Sequence, residues 1–107
     1  MGDAVGIEVA WVDETHEKIY VIEDPEGCLT SLFTSDLSTL APTCLRFVDP
    51  WGDTIFNQSQ IPVLLAELRA VASASTQPEL RAHIEKLVGL VQQSIEQMHT
   101  YIKFTGD

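Results

Sequence analysis

The stretch GIEVAWVDETHEKIYVI, Gly6 to Ile22, decides how the rest of the chain is read. In its first part Ile7, Val9 and Trp11 alternate with Glu8, Ala10 and Val12, which is the period of a half-buried strand. The polar cluster Asp13-Glu14-Thr15-His16 turns the chain. Lys18 to Ile22, rich in β-branched and aromatic side chains, predicts a second strand that pairs with the first as a hairpin. Asp24-Pro25-Glu26-Gly27 ends that strand.

Working outward, Leu29, Leu32, Phe33, Leu37 and Leu40 have helical spacing, but the Ser and Thr residues among them are poor helix formers, so Cys28 to Leu40 reads as one short helix and a loop. Thr43–Val48 and Asp53–Phe56 read as two more strands. Between them Asp49-Pro50-Trp51-Gly52 has Pro and Gly at the positions a tight turn favours, which predicts a second hairpin. A helix of about fifteen residues follows, with Ile61, Leu64, Leu65, Leu68, Val71 and Ala72 on one stripe and Asn57 or Ser59 as its cap. A second opens with the capping-box pattern Thr76-Gln77-Pro78-Glu79 and carries Leu80, Ile84, Leu87, Val88, Val91, Ile95 and Met98 on one face, so the two helices are expected to pair. Thr100 to Phe104 resumes a period of two and predicts a closing strand. The order ββ(α)ββααβ indicates an α+β two-layer sandwich, a mainly antiparallel sheet of about five strands with two long helices, in a single domain over residues 1–107.

With 45% apolar and 21% charged residues, the composition is that of a globular chain that buries its own core. The formal charge of −10 is unevenly placed. Residues 1–60 hold eleven acids against two bases, and the remainder five against four, so −9 of the charge lies in the first sixty residues. Such a field repels nucleic acid and acidic membrane and attracts a basic partner. No apolar run reaches membrane-spanning length, and the start lacks the basic and apolar regions of a secretion signal, which points to a cytoplasmic protein.

The motifs of catalysis are missing. Cys28 and Cys44 stand sixteen positions apart without metal-ligand spacing, and His16, His83 and His99 have no partner at i, i+4. No phosphate-cradling glycine loop or nucleophile elbow occurs, so neither a metal nor a cofactor is expected. His99, at the predicted end of the second helix, reads as a favourable charge near its carbonyls. The turn Asp49 to Asp53 places two carboxylates and an indole together. It reads either as a partner-binding knob or as a turn in which Asp49 bonds backbone amides and Trp51 folds onto the sheet. If Leu45 and Phe47 face the core, Arg46 faces away, and Tyr101, Lys103 and, if it lies on that side, Tyr20 join it on a sheet face that reads either as a partner-binding surface or as a solvated face partly covered by the Cys28–Leu40 segment.

Around Cys44-Leu45-Arg46-Phe47-Val48-Asp49-Pro50-Trp51-Gly52-Asp53-Thr54-Ile55-Phe56-Asn57-Gln58, and again over Tyr101-Ile102-Lys103-Phe104-Thr105-Gly106-Asp107, the chain resembles a group of small uncharacterised bacterial proteins. They share a Gly-Asp-Thr-hydrophobic-Phe-Asn turn and strand, two helices and a closing aromatic strand ending Gly-Asp. The resemblance implies a bacterial origin and no activity, and it draws attention to Asp49, Asp53, Asn57 and Asp107.

The sequence therefore points first to an acidic interaction module, of the immunity-protein or antitoxin-like kind, that binds a basic protein through Asp13, Glu14, Glu17, Tyr20, Arg46, Asp49, Trp51, Asp53 and Tyr101. The alternatives are a small enzyme or ligand-binding protein with a polar site around Arg46, Asp49 and Asp53, and a homodimer with an accessory role.

Overall fold

The computed structural model describes residues 6–24 and 27–106. Asp3, Pro25, Glu26 and Asp107 lie outside the described residues, as do the start of the chain and part of the Asp24–Gly27 stop. Along the chain come β1 (Glu8–Asp13), β2 (Lys18–Ile22), α1 (Cys28–Phe33), a short 3-10 turn (Leu45–Phe47), β3 (Asp53–Phe56), α2 (Ile61–Ala74), α3 (Pro78–Ser94) and β4 (Thr100–Thr105). The class is α+β. The sheet has four antiparallel strands in the order β2-β1-β4-β3, one fewer than expected.

The β1–β2 hairpin forms as the alternation predicts, with one irregularity. Trp11 pairs with Tyr20 but Val12 pairs with Lys18, so Ile19 is bulged out. Asp13 builds the connecting turn: its Oδ1 accepts from the backbone N–H of Thr15 and of Glu17, both at 2.9 Å, and from the Thr15 hydroxyl at 2.7 Å. These bonds, the Thr15 hydroxyl foremost, hold the Asp13 carboxyl below the usual carboxylate range.

The missing strand is Thr43–Val48. Its residues are apolar enough for a strand, but its first three amides go to a side chain and those of Arg46, Phe47 and Val48 to the carbonyls of Ala41, Cys44 and Leu45, not to a neighbouring strand. Glu67, buried in α2, accepts from the backbone N–H of Thr43 through Oε2 at 2.8 Å and from those of Cys44 and Leu45 through Oε1 at 2.9 Å. The segment coils over this carboxylate, burying Ala41, Cys44, Leu45 and Val48 and leaving Phe47 63% exposed. Phe47 does not face the core, Arg46 is not on a sheet face, and the expected hairpin through Asp49–Gly52 does not exist. β3 pairs instead with β4, Phe56 opposite Ile102.

One face of the sheet carries the core. Val9, Phe56, Ile102 and Phe104 meet Leu29, Leu32 and Phe33 of α1, Leu64 and Leu68 of α2, and Ile84, Leu87 and Val91 of α3. The Phe104 ring stands edge-on to those of Phe33 and Phe56, each at 5.7 Å. α1 therefore lies on the core side, not over the open face as expected.

The apolar stripe read for α2 is buried throughout. Asn57 caps the turn leading into it: its Oδ1 accepts from the Ser59 and Gln60 amides, and Gln60 Oε1 accepts from the Asn57 amide at 2.9 Å. The box read at Thr76–Glu79 does not form. There Ser75 Oγ accepts from the Gln77 amide, and α3 ends before Met98, which is 75% exposed. α1 begins on Asp24, a buried carboxylate that accepts from the Cys28 and Leu29 amides at 2.9 and 2.8 Å. No helix among the described residues is long and apolar enough to cross a membrane.

Two expectations follow. Replacing Glu67 by Ala strands three amides beside the core, and urea unfolding should show a loss of roughly 3 kcal/mol or more, with Glu67→Gln intermediate because one oxygen still accepts. Burial and the neighbouring Glu67 carboxylate push the Cys44 thiol up to about 11. In a Cys28→Ser variant, Cys44 should therefore react with a disulfide reagent at pH 8 only after the protein is unfolded in denaturant.

Candidate functional site

The nine residues singled out in the sequence fall into three places. Asp13, Glu14 and Glu17 form the β1–β2 turn, beside the start of β4, where Asp13 pairs with Thr100. Tyr101 is there too, on the open face, its ring stacked on His16 at 6.3 Å, and His99 Nδ1 lies 3.9 Å from Glu14 Oε2. His99, in the left-handed region at φ 62, thus faces a carboxylate of the turn.

Asp49, Trp51 and Asp53, with Arg46 just before them, lie at the other end of the sheet. Asp53 pairs with Thr105, about 17 Å along β4 from the Asp13 pairing at the usual rise of a strand. Asp49 behaves as a turn former. Its Oδ1 accepts from the Trp51 amide at 2.8 Å, and its own amide donates to Thr54 Oγ1 at 2.9 Å. The turn is clamped against the end of β4 by the Gly106 amide, which donates to Gly52 O at 2.7 Å. A Cβ on Gly106 would come within 2.3 Å of Pro50 O, so only glycine permits this approach. Trp51 does not fold back on the sheet but is 60% exposed. Asp53 faces Lys103 at 3.6 Å, and the Arg46 guanidinium sits 5.3 Å over the Phe47 ring. The grooves described below are lined by other residues, so Arg46, Asp49 and Asp53 are not gathered around any of them.

Tyr20 is on the opposite face from the one expected. It pairs with Trp11, which pairs on its other side with the core residue Ile102, so Tyr20 points toward the helices, not toward Tyr101 and Lys103. It is 60% exposed because β2 is an edge strand. Beside it runs a trough between β2 and α3, made of two grooves of about 310 Å³ each that share Lys86. One is lined by Tyr20, Ile22, Glu85, Lys86, Gly89, Leu90 and Gln93, the other by Glu23, Asp24, Cys28, Glu79, Ala82, His83 and Lys86. A third groove of about 290 Å³ lies between the loop after α1 and the α2–α3 connection.

The α3 wall of the trough was not singled out in the sequence, where its polar residues look like the solvated side of an amphipathic helix. Gly89 was the available signal. It sits inside α3, where glycine is less favourable than alanine by about 0.5–1 kcal/mol. A Cβ there would meet nothing within 4 Å, so no contact inside the molecule requires it.

His83 lies at the deep end, its Nε2 buried, making no hydrogen bond in the protein and 4.0 Å from Asp24 Oδ1. Burial lowers its pKa, with Lys86 adding to the effect and Asp24 opposing it. No groups of three or more His, Cys, Asp or Glu side chains suited to a metal ion occur among the described residues.

Comparison of the chain with protein-family models, curated proteins and solved structures finds no match.

The His83 ring should titrate below its ordinary value of 6.5 when followed by NMR. Because the folded form holds the proton less tightly than the unfolded one, the stability His83 contributes is present above about pH 6.5 and declines as pH falls through its folded pKa. A midpoint at or above 6.5 would mean that Asp24, not burial, dominates.

Proposed function

We propose that the protein is an acidic interaction module that binds a basic protein, in the manner of an immunity protein or antitoxin. The observation that carries this reading is which carboxylates the fold leaves unengaged. Asp13, Asp24, Asp36, Asp49 and Glu67 accept from backbone amides, while Glu8 and Asp53 face Lys18 and Lys103 on the open face. Exposed Glu17 and Glu23 remain along the hairpin and exposed Glu79 on α3 across the trough from Glu23, joined by Glu14 and Glu85, whose charged neighbours are the exposed His99 and Arg81. Nearby cations are few: Lys18 is held by Glu8 at 2.7 Å, and Arg81 lies 3.6 Å from Glu85.

The partner surface is thus narrower than the first-half charge suggests, and it includes acids from the second half. Asp13 supports the backbone beside it, while Asp49 lies at the far edge of the sheet. Electrostatic attraction of this kind acts mainly on the rate of association and on partner choice. Self-association is a second reading, favoured by Phe47, Trp51 and Ile55, which are exposed on and beside the other edge strand, β3.

A tagged bait in lysate should retain a basic protein at low salt and lose it at high salt. The Glu14→Lys, Glu17→Lys, Glu23→Lys triple variant should slow association about tenfold or more. Retention indifferent to both salt and charge reversal would overturn the reading, and a dimer by light scattering would favour the second.

A further inference from the structure

We infer that the trough between β2 and α3 receives an extended basic segment of a partner protein, laid along β2 as an added strand with a side chain over Gly89. This rests on the interaction reading above and names the site and the form of the partner.

β2 is an edge of the sheet, so one side of its backbone is unpaired by any described strand. Such an edge takes an extended segment through main-chain hydrogen bonds, and pockets beside it then read every second side chain. The trough runs beside that edge. Beside β2 its helical wall, Glu85 to Gln93, is about 12 Å long, which accommodates about four residues of extended chain, and the second groove continues it past Glu23, Asp24 and Cys28.

The two walls offer different chemistry. Ile22 and the buried Leu90 make an apolar floor below the exposed ring of Tyr20. Lys86, Gly89 and Gln93 fall on one stripe of α3, and the glycine leaves a notch between the two longer side chains, opposite Tyr20. Since no internal contact asks for glycine there, the notch is a feature of the surface. Along the rim stand Glu23, Glu79 and Glu85, with Lys86 among them and Arg81 3.6 Å from Glu85. A segment that alternates apolar side chains with Lys or Arg would place the first kind on the floor and the second against the rim.

A phage-displayed library of random dodecamers, selected on the full-length protein, tests this. Enriched sequences should carry Lys or Arg alternating with apolar residues, and the corresponding synthetic peptides should shift amide resonances of Tyr20–Glu23 and of residues 85–93. The Gly89→Gln variant, which fills the notch with a better helix former and so keeps the fold, should weaken those peptides about tenfold or more. Enrichment of acidic or uncharged sequences, no enrichment at all, or basic peptides that bind Gly89→Gln as tightly as the parent would overturn the inference. A salt-sensitive lysate partner indifferent to Gly89→Gln would overturn it while leaving the acidic-module reading standing. Neither peptides nor a lysate partner would remove both.

Discussion

A buried carboxylate holds the non-repetitive part of this molecule in place. Glu67 projects from α2 and binds three consecutive amides of the Thr43–Leu45 segment. Ionised carboxylates are rarely buried without such donors, because desolvation must be offset by several short hydrogen bonds. Once the bonds form, the segment cannot join the sheet: the amides that would make a ladder are already taken. Cys44, Leu45 and Val48 are drawn into the core, the Asp49–Gly52 turn is delivered to the end of β4, and β3 must find its partner in β4. Asp24 applies the same device on a smaller scale at the start of α1.

This explains which parts of the fold were legible. Periodicity reports how side chains are divided between core and solvent, and it succeeds where the backbone bonds within a helix or a ladder. β1, β2, β3, β4 and the stripes of α2 and α3 are of that kind, as is Asn57, whose short polar side chain caps the next turn. Thr43–Val48 has the side chains of a strand, but its first three amides bond to a residue more than twenty positions away and its last three close local turns, and nothing local in the sequence shows the long-range contact. The side of the sheet on which Tyr20 lies depends on its register against Trp11, and a bulge at Ile19 then turns Lys18 to the other side, neither of which shows in an alternation that looks regular. For the candidate site, the acids of the hairpin and Tyr20 were visible. The α3 wall was hidden because a binding surface on an amphipathic helix has the same pattern as a solvated one.

The count of acids overstates the field that a partner would meet. The carboxylates of Asp13, Asp24, Asp36, Asp49 and Glu67 are occupied by backbone amides, and these are the ones that shape turns and helix starts. A carboxylate oxygen accepting two or three amides is held in place and partly neutralised by their dipoles, so it contributes less to long-range attraction than an exposed glutamate on a flexible stem. Among the described glutamates, Glu14, Glu17, Glu23, Glu79, Glu85 and Glu96 are the exposed charges. The division between first and second halves of the chain is a property of the sequence and not of the surface, since the fold sets Glu79 and Glu85 across the trough from Glu23.

The bulge ties these features together. In an unbroken strand Lys18, Tyr20 and Ile22 would share a face, and the Lys18 ammonium would stand beside the trough among its acids. The extra residue at Ile19 turns Lys18 to the open face, opposite Val12, where Glu8 receives it at 2.7 Å. The same irregularity shortens the regular edge that β2 presents, which limits indiscriminate strand pairing. One inserted residue thus removes a cation from the rim, pairs it with Glu8 on the open face, and leaves Tyr20 and Ile22 facing α3. An edge arranged in this way is guarded against indiscriminate strand pairing, and its remaining acidic rim favours a segment that brings positive charge of its own.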